Sequence, residues 1–379
     1  MENIQIDFNK PCLVGNELAY IAQSFEKSHI SGDGYFSKNC QQIIEKELNV
    51  PKVLLTTSCT HALEMSALSL DIQPGDEVIV PSFTFVSSVN AFVLRGAVPV
   101  FVDIRPDTLN IDEKQIEERI TPRTKAIIVV HYAGVGCEME TIMEIAGSHN
   151  VPVIEDNAHG LFGKYKGKYL GTFGSLATQS FHETKNITCG EGGALLINDN
   201  LYIERAEIIR EKGTNRSRFF QGLIDKYTWV DIGSSYLPSE ILAAVLYAQL
   251  EHWQEIQQKR KQIWEYYYHN IRSWADRHSI ILPTVPEHCD QAYHMFYLLT
   301  PSLDIRKLLM AHLRENGIVS VFHYQPLHLS EYGRRFGGKQ GDCPVTEMAA
   351  DCLLRLPFYY DLTERDLDQV INALYQFEY

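Results

Sequence analysis

The chain has 379 residues, 45% of them apolar and 22% charged, with a formal net charge of -14. That length suits one large domain plus a smaller one, with ample apolar material for a core. The negative balance argues against nucleic acid as a partner, since a phosphate backbone demands a basic face, but leaves room for a small anionic ligand held by a few local donors. The start, MENIQIDFNKP, lacks a basic stretch followed by an apolar one, so no signal peptide is expected. No run of about 18 apolar residues occurs, so no membrane span is expected. The 8 cysteines, among them Cys12, Cys59, Cys137 and Cys189, are scattered without a C-x-x-C pair. They read as reduced thiols of a cytoplasmic protein, not as a disulfide frame or a metal site.

Short β-branched runs alternate with helical patterns through the first two thirds. The runs are Val53 to Leu55, Val78 to Val80, Val98 to Val102, Ala126 to Val130, Val151 to Ile154, Leu176 to Phe181 and Ala194 to Ile197. Ala62 to Leu70 and Met139 to Ala146 carry apolar residues at helical spacing. Turns are predicted at Gln73-Pro74-Gly75-Asp76 and Arg105-Pro106-Asp107. The alternation predicts an α/β fold, with a mostly parallel sheet covered by helices on both faces. One long helix is predicted from Pro238 to about Trp274, striped by Leu242, Leu246, Leu250, Trp253, Ile256 and Ile263. Beyond it, strands over Tyr293 to Leu299 and Ser320 to Tyr324 flank a helix over Arg306 to Asn316. A last helix runs from Thr363, its expected N-cap, to Phe377. These make a small α+β domain.

The residues that suggest chemistry follow predicted strands. Thr57-Ser58-Cys59-Thr60 opens a helix, whose free N–H groups can cradle a phosphate; a plain N-cap by Thr57 or Ser58 is the simpler account. Phe85, in Pro81-Ser82-Phe83-Thr84-Phe85, could stack on an aromatic ligand or pack in the core. Asp156 ends the buried run of Val153-Ile154-Glu155-Asp156, where ligands gather in open α/β sheets, though a cap would also use an acid there. Lys185, in Ser180-Phe181-His182-Glu183-Thr184-Lys185-Asn186, precedes Gly190-Glu191-Gly192-Gly193. A loop lysine is ordinarily a solvated charge, but a Gly-rich turn lets backbone approach a ligand. Lysine and carboxylate together fit pyridoxal phosphate (PLP) chemistry, which needs an amine for the cofactor aldehyde and an acid at its ring nitrogen.

These pieces, quoted as TSCTHALEMSAL, GDEVIVPSFTFVSS, FVDIRPDTLNID, VIEDNAHG, SFHETKN and CGEGGALL, resemble the DegT/DnrJ/EryC1/StrS family of sugar aminotransferases over nearly the whole chain. The resemblance implies the aspartate-aminotransferase fold (fold type I). A large mixed, mostly parallel sheet domain with an N-terminal arm would span 1–250, and a small α+β domain 251–379. It implies that Lys185 bonds the cofactor and Asp156 pairs with its ring nitrogen. His159 would lie near the ring hydroxyl and Phe85 on the ring, with Cys59, Thr60 and Ser180 on the phosphate. It also implies a homodimer with shared sites. Many members have Gln where His159 stands, and G-Y-N-Y-R where this chain has Gly233-Ser234-Ser235-Tyr236-Leu237. Ser235 thus takes the place of an Asn that reaches the partner's phosphate.

REKGTNRSRFF, DIGSSYL and FHYQPLH are similar to members that aminate C4 of dTDP-4-keto-6-deoxyglucose to the galacto product for surface polysaccharides. The implied substrates are L-glutamate and a nucleotide-linked 4-keto-6-deoxyhexose. Lys212, Arg216, His323, Tyr324 and His328 are candidates for sugar and pyrophosphate contacts, each with a solvated surface role as the alternative. Amination at C3 or a gluco product is the alternative on the same residues. Lys185 argues against the related 3-dehydratases, which carry histidine there. A regulatory protein on the same fold is the non-enzymatic alternative. A metal enzyme using His131, His159 and His182 lacks any ligand spacing.

Overall fold

The computed structural model describes residues 5–220 and 222–379. The β-branched runs form β1 (Lys52–Thr56), β2 (Glu77–Pro81), β3 (Val98–Val102), β4 (Thr124–Val130) and β5 (Val153–Asp156). A small ribbon, β6 (Lys164–Tyr165) and β7 (Lys168–Tyr169), precedes β8 (Leu176–Ser180) and β9 (Gly193–Ile197). Seven strands pair in the order β1-β9-β8-β5-β4-β2-β3. The five from β8 to β3 are parallel, while β9 runs against both of its neighbours. The expected mixed, mostly parallel sheet is present.

Both faces of this sheet are covered, which is why its strands read as continuous apolar runs. Leu54, Val78, Val80, Ile128, Ile154 and Leu195 point to one core, shared with α3 (Cys59–Ser69), α4 (Ser87–Val93) and α6 (Ile203–Arg210). Val53, Leu55, Ala194 and Leu196 point to the other face, against α2 (Tyr35–Leu48) and α8 (Glu240–Glu251). Ile79, Ile127, Val129 and Val153 meet α5 (Met139–His149) on that same side. α1 (Glu17–Glu26) packs on α8, and α7 (Arg216–Phe220) follows α6.

The predicted helix from Pro238 to Trp274 is two helices, α8 and α9 (Trp253–Arg277). His252 breaks them, with φ -111 and ψ 17. The two apolar stripes serve mainly different cores, although Ile256 near the start of α9 still joins the large-sheet core. Leu246 and Leu250 of α8 join the large sheet, whereas Ile263, Tyr267 and Trp274 of α9 join the C-terminal core.

The C-terminal part holds β10 (Cys289–Asp290), β11 (Tyr297–Leu299), α10 (Leu303–Glu315), β12 (Val321–Phe322), α11 (Pro344–Cys352), β13 (Leu353–Arg355) and α12 (Glu364–Tyr375). A second sheet has the order β11-β13-β12. The strand expected from Tyr293 begins only at Tyr297. Tyr293 has φ 50, and the Arg260 guanidinium takes the carbonyls of Tyr293 and His294 at 3.0 and 2.6 Å. The strand expected over Ser320 to Tyr324 is reduced to Val321–Phe322. Ile6 bridges Ile318 and lies in the C-terminal core. Phe83 and Tyr132 pack against Tyr297 and Leu353, so one cluster joins the two sheets. Among the described residues no helix is long and apolar enough to cross a membrane. The eight cysteines are unpaired.

Thr363 caps α12 as expected. Its Oγ1 accepts from the Asp366 N–H at 3.2 Å, and the Asp366 carboxylate accepts from the Thr363 N–H at 3.0 Å. This reciprocal pair is a capping box. Thr363→Ala should therefore lower stability by about 1 kcal/mol in urea unfolding, and Thr363→Ser should cost much less. Equal midpoints for wild type and Thr363→Ala would contradict the cap's contribution.

Candidate active site

The carboxyl ends of β1, β2, β4, β5 and β8 open on one rim, and the antiparallel β9 begins there at Gly193, opposite Thr56 and Ser180. A Cβ on Gly193 would lie 2.3 Å from the Ser58 carbonyl carbon, so glycine alone lets β9 pass this close to the start of α3. A cavity of about 620 Å³ lies over the rim, between the large and small sheets.

At one end of the cavity stands the start of α3. Ser58 is its N-cap, with Oγ accepting from the His61 N–H at 3.1 Å, while Thr57 bonds the His61 ring instead. The amides of Cys59 and Thr60 are the first two of the helix and have no helical acceptor. The Thr60 hydroxyl lies 2.8 Å from the Ser87 hydroxyl. Ser180, at the end of β8, lines the same cavity. Free amides, hydroxyls and the positive helix end together suit a phosphate.

Asp156 is buried at the end of β5. One carboxylate oxygen accepts from the Ser88 hydroxyl at 2.7 Å, and Ser88 lies 2.8 Å from the Thr84 hydroxyl. The other accepts from the Ala158 N–H at 3.2 Å, which is the cap-like contact, yet the residue also lines the cavity. Behind it, Glu155 fixes the strand end. Its carboxylate accepts from the N–H groups of Gly171, Phe173 and Gly174 at 2.7 to 2.8 Å and pairs with His131 at 2.9 Å. His131 is thereby committed to structure.

Lys185 lines the cavity in the loop after β8. Burial pulls its ammonium down to about 8, against opposing pulls from Cys59 and Asp156 that favour the charge. A fraction of the amine is therefore neutral near physiological pH, far more than for a lysine in water. Phe85 is 56% exposed on the cavity wall, so core packing is not its role. His159 is buried and stacked on His294, with centroids 4.2 Å apart. Burial holds both imidazoles well below their ordinary range. The His159 Nδ1 is buried without a hydrogen-bond partner. His323 and Tyr324 also line the cavity, and His323 Nδ1 lies 3.1 Å from the Tyr132 hydroxyl.

Four other expected residues lie elsewhere. His328 is fully buried, 2.6 Å from the Ser82 hydroxyl and 3.2 Å from Glu347. It ties the turn after β2 to α11 and cannot touch a ligand, which corrects its assignment to the substrate. Lys212, Arg216 and Ser235 are outside the cavity and gather around Glu211. The two cations lie 3.6 and 3.7 Å from its carboxylate, and Ser235 forms a β-bridge with it. The cavity also includes residues that sequence reasoning passed over: Phe8, Asn9, His294 and Arg355. Arg355 sits in LLRLP, which reads locally as an ordinary short strand.

An acid, a half-buried lysine, an anion cradle and an exposed aromatic ring in one cavity fit PLP. The unpartnered His159 Nδ1 and the open amides of α3 are groups that a polar cofactor would satisfy.

Comparison with known proteins agrees. The model of the DegT/DnrJ/EryC1/StrS aminotransferase family matches residues 11–375. The chain is 33% identical over 370 residues to GDP-perosamine synthase of Escherichia coli O157:H7, covering 97% of each. Its structure matches the aminotransferase TlmJ from Streptoalloteichus hindustanus with a TM-score of 0.89 and 29% identity, over 98% of each chain. It matches the PLP form of a protein described as a sugar aminotransferase, Spr1654 from Streptococcus pneumoniae, with a TM-score of 0.89 and 26% identity over 97% of each chain. PLP is the cofactor of this group.

Two outcomes follow from the geometry. Asp156→Asn should fold and bind cofactor but turn over orders of magnitude more slowly, because an amide cannot hold a proton on the ring nitrogen. A steady-state rate equal to wild type would reduce Asp156 to a turn-forming residue. The cofactor-free protein should capture PLP faster as pH rises, with the half-maximal rate near 8, where Lys185 loses its proton. Stopped-flow absorbance checks this; a rate still climbing steeply at pH 10 would mean an ordinary lysine.

Proposed function

The chain belongs to the DegT/DnrJ/EryC1/StrS aminotransferase family, and on that premise we propose that it moves an amino group from L-glutamate to C4 of a nucleotide-linked 4-keto-6-deoxyhexose. The substrate is dTDP-4-keto-6-deoxyglucose and the product dTDP-4-amino-4,6-dideoxygalactose, a building block for surface polysaccharide. The observation that carries the reading is the meeting of Lys185, Asp156 and the start of α3 in one cavity. GTNRS and DIGSSYL, which lie outside that cavity, and FHYQPLH, whose His323 and Tyr324 line it, support the choice of sugar. The relative named GDP-perosamine synthase supports a nucleotide-sugar substrate and makes GDP the competing nucleotide.

Bound PLP supplies an aldehyde that takes up the amino group and a protonated ring that draws electrons from the carbon losing its proton. The amides of Cys59 and Thr60, with the hydroxyls of Thr60 and Ser180, hold the phosphate. Asp156 holds the proton on the ring nitrogen, and Ser88 holds Asp156. Phe85 would cover the ring, and His159 would face its hydroxyl. Lys185 removes the proton from the donor carbon and later delivers one to C4 of the sugar. The donor leaves as 2-oxoglutarate. The sugar face that Lys185 reaches decides between an axial and an equatorial amine.

The protein acts as a homodimer. Ser235, Lys212 and Arg216 extend toward the partner's cavity, which accounts for their lying outside their own. Exposed Phe220, Leu223 and Trp229 beside them supply apolar surface for the contact.

The test incubates the enzyme with L-glutamate and either dTDP-4-keto-6-deoxyglucose or its GDP-linked counterpart, with proton NMR of the product. The expected result is turnover of the dTDP sugar and a small coupling between H3 and H4, the mark of an axial amine at C4. A large coupling means the gluco product, and an amine at C3 rejects the C4 assignment. Turnover of the GDP sugar alone rejects dTDP.

A further inference from the structure

Asn186 follows Lys185, and its side chain ties three segments together. The amide nitrogen donates to the Ala292 carbonyl at 2.6 Å and to the Gln257 side-chain oxygen of α9 at 2.9 Å. The amide oxygen lies 2.9 Å from Nδ1 of His294. Gln257 in turn donates from its nitrogen to the Leu161 carbonyl at 3.4 Å. Both ends of this chain are backbone carbonyls, which only accept. Each amide must therefore turn its nitrogen toward them, and the Asn186 oxygen is left facing His294.

That orientation sets the proton on the imidazole. An amide oxygen cannot donate, so Nδ1 must carry the hydrogen. Burial holds His294 well below its ordinary range, so the ring has one proton only. Nε2 is left as a bare acceptor. The ring is held in place by its stack on His159, at 4.2 Å and 17°, and by Arg260, which takes the His294 carbonyl at 2.6 Å. Among the described residues no group bonds Nε2. It is not sealed in protein, unlike the orphaned Nδ1 of His159, and His294 lines the cavity.

Such a nitrogen takes a donor. Beyond its reacting amine, L-glutamate offers two carboxylates, whose lone pairs Nε2 would repel. A keto sugar offers hydroxyls. His294 is bonded to the residue next to Lys185, so the hydroxyl beside the reacting carbon is the one in reach. We propose that Asn186 fixes His294 as the Nδ1–H tautomer, and that His294 Nε2 accepts a hydrogen bond from the C3 hydroxyl of the keto sugar. The hydroxyl assignment rests on the aminotransferase reading above; the tautomer does not. Asn186 is thus a positioning residue, acting on the sugar through His294.

Two measurements on the full-length enzyme test this. The first is long-range proton–nitrogen NMR of holoenzyme with nitrogen-15 histidines, which reads the ring nitrogen that bears the proton. The His294 signals are those lost in His294→Phe. Wild type should show Nδ1 protonated and Nε2 bare. Asn186→Ala should give an Nε2–H ring or a mixture, a change that a merely structural asparagine would not cause. In the second, enzyme carrying the aminated cofactor is mixed with dTDP-4-keto-6-deoxyglucose or its 3-deoxy counterpart. The apparent Kd is read from single-turnover return of the cofactor absorbance. Loss of the hydroxyl should weaken binding to wild type about 10-fold. In His294→Phe, which keeps the stack on His159, the same loss should cost less than about 2-fold, because the acceptor is already gone. Retained cofactor absorbance shows that a variant is folded, and His294→Leu replaces His294→Phe if the latter loses it.

An Nε2–H ring in wild type overturns the proposal, and so does a tautomer that Asn186→Ala leaves unchanged. Equal losses on deoxygenation in wild type and His294→Phe also overturn it, as does a 3-deoxy sugar that wild type binds as well as its parent. If only GDP-linked sugars react, the comparison is decided on them. If no keto sugar reacts, the proposed function and the hydroxyl assignment both fall, while the NMR still decides the tautomer.

Discussion

The chemistry depends on keeping the Lys185 amine dry. In water a lysine holds its proton far above neutral pH and cannot serve as a base. Here burial lowers it to about 8, even though Asp156 and Cys59 both favour the charged form. Desolvation of that size needs walls on every side. The large sheet supplies only the floor. Met295, His323, Tyr324 and Arg355 of the C-terminal part form another wall, and Phe8 and Asn9 of the N-terminal arm close the edge. The cluster joining Phe83 and Tyr132 to Tyr297 and Leu353 keeps these parts together. The domain arrangement is therefore part of the acid–base chemistry.

The same dryness sorts the other ionisable groups. His159 and His294 stack at 4.2 Å, a spacing that two imidazolium ions would resist. Burial and the nearby Lys185 keep them neutral. They can then offer ring nitrogens as hydrogen-bonding groups without adding charge. Asp156 stands against this neutral background, with Ser88 and Ala158 fixing its two oxygens. A fixed acid, an amine that gives up its proton readily and uncharged imidazoles are arranged by solvent exclusion and short hydrogen bonds. The chain's net charge of -14 has no part in it.

The cavity and the stretch that carries Glu211, Lys212, Arg216 and Ser235 are separate in the fold. The core is built from strand ends, held by backbone ladders on both sides, and tolerates little change: Gly193 has no room for even one carbon beyond Cα. The stretch from Glu211 to Tyr236 is looser. It is joined by isolated bridges, such as Glu211 to Ser235 and Thr214 to Trp229, and carries exposed rings. Variation there would leave Lys185 and Asp156 in place. A shared chemistry with divergent substrates is what such a division permits.

Local pattern carries local information, and the sequence was legible where that sufficed. Runs such as Ala126 to Val130 announced strands because both faces of each strand are buried, and Thr363 announced a cap because its partner is three residues away. Lys185, Asp156, Cys59, Thr60 and Phe85 could be named because each follows a strand end, where side chains of an open sheet face a ligand. Within the long stripe after Pro238 nothing marked His252 as a break, since the apolar spacing continues past it into α9. His328 looked like a surface ligand in FHYQPLH. Only packing against Ser82 and Glu347, 246 and 19 residues away, showed it to be buried. Arg355 stood in an unremarkable strand. Sequence alone determined most of the elements, the mostly parallel sheet and the lysine–acid pair, because those depend on periodicity and on neighbours along the chain. Tertiary structure alone decided that Phe8, Asp156, Lys185 and Arg355 enclose one cavity, because that enclosure is a sum of contacts between segments that share no local pattern.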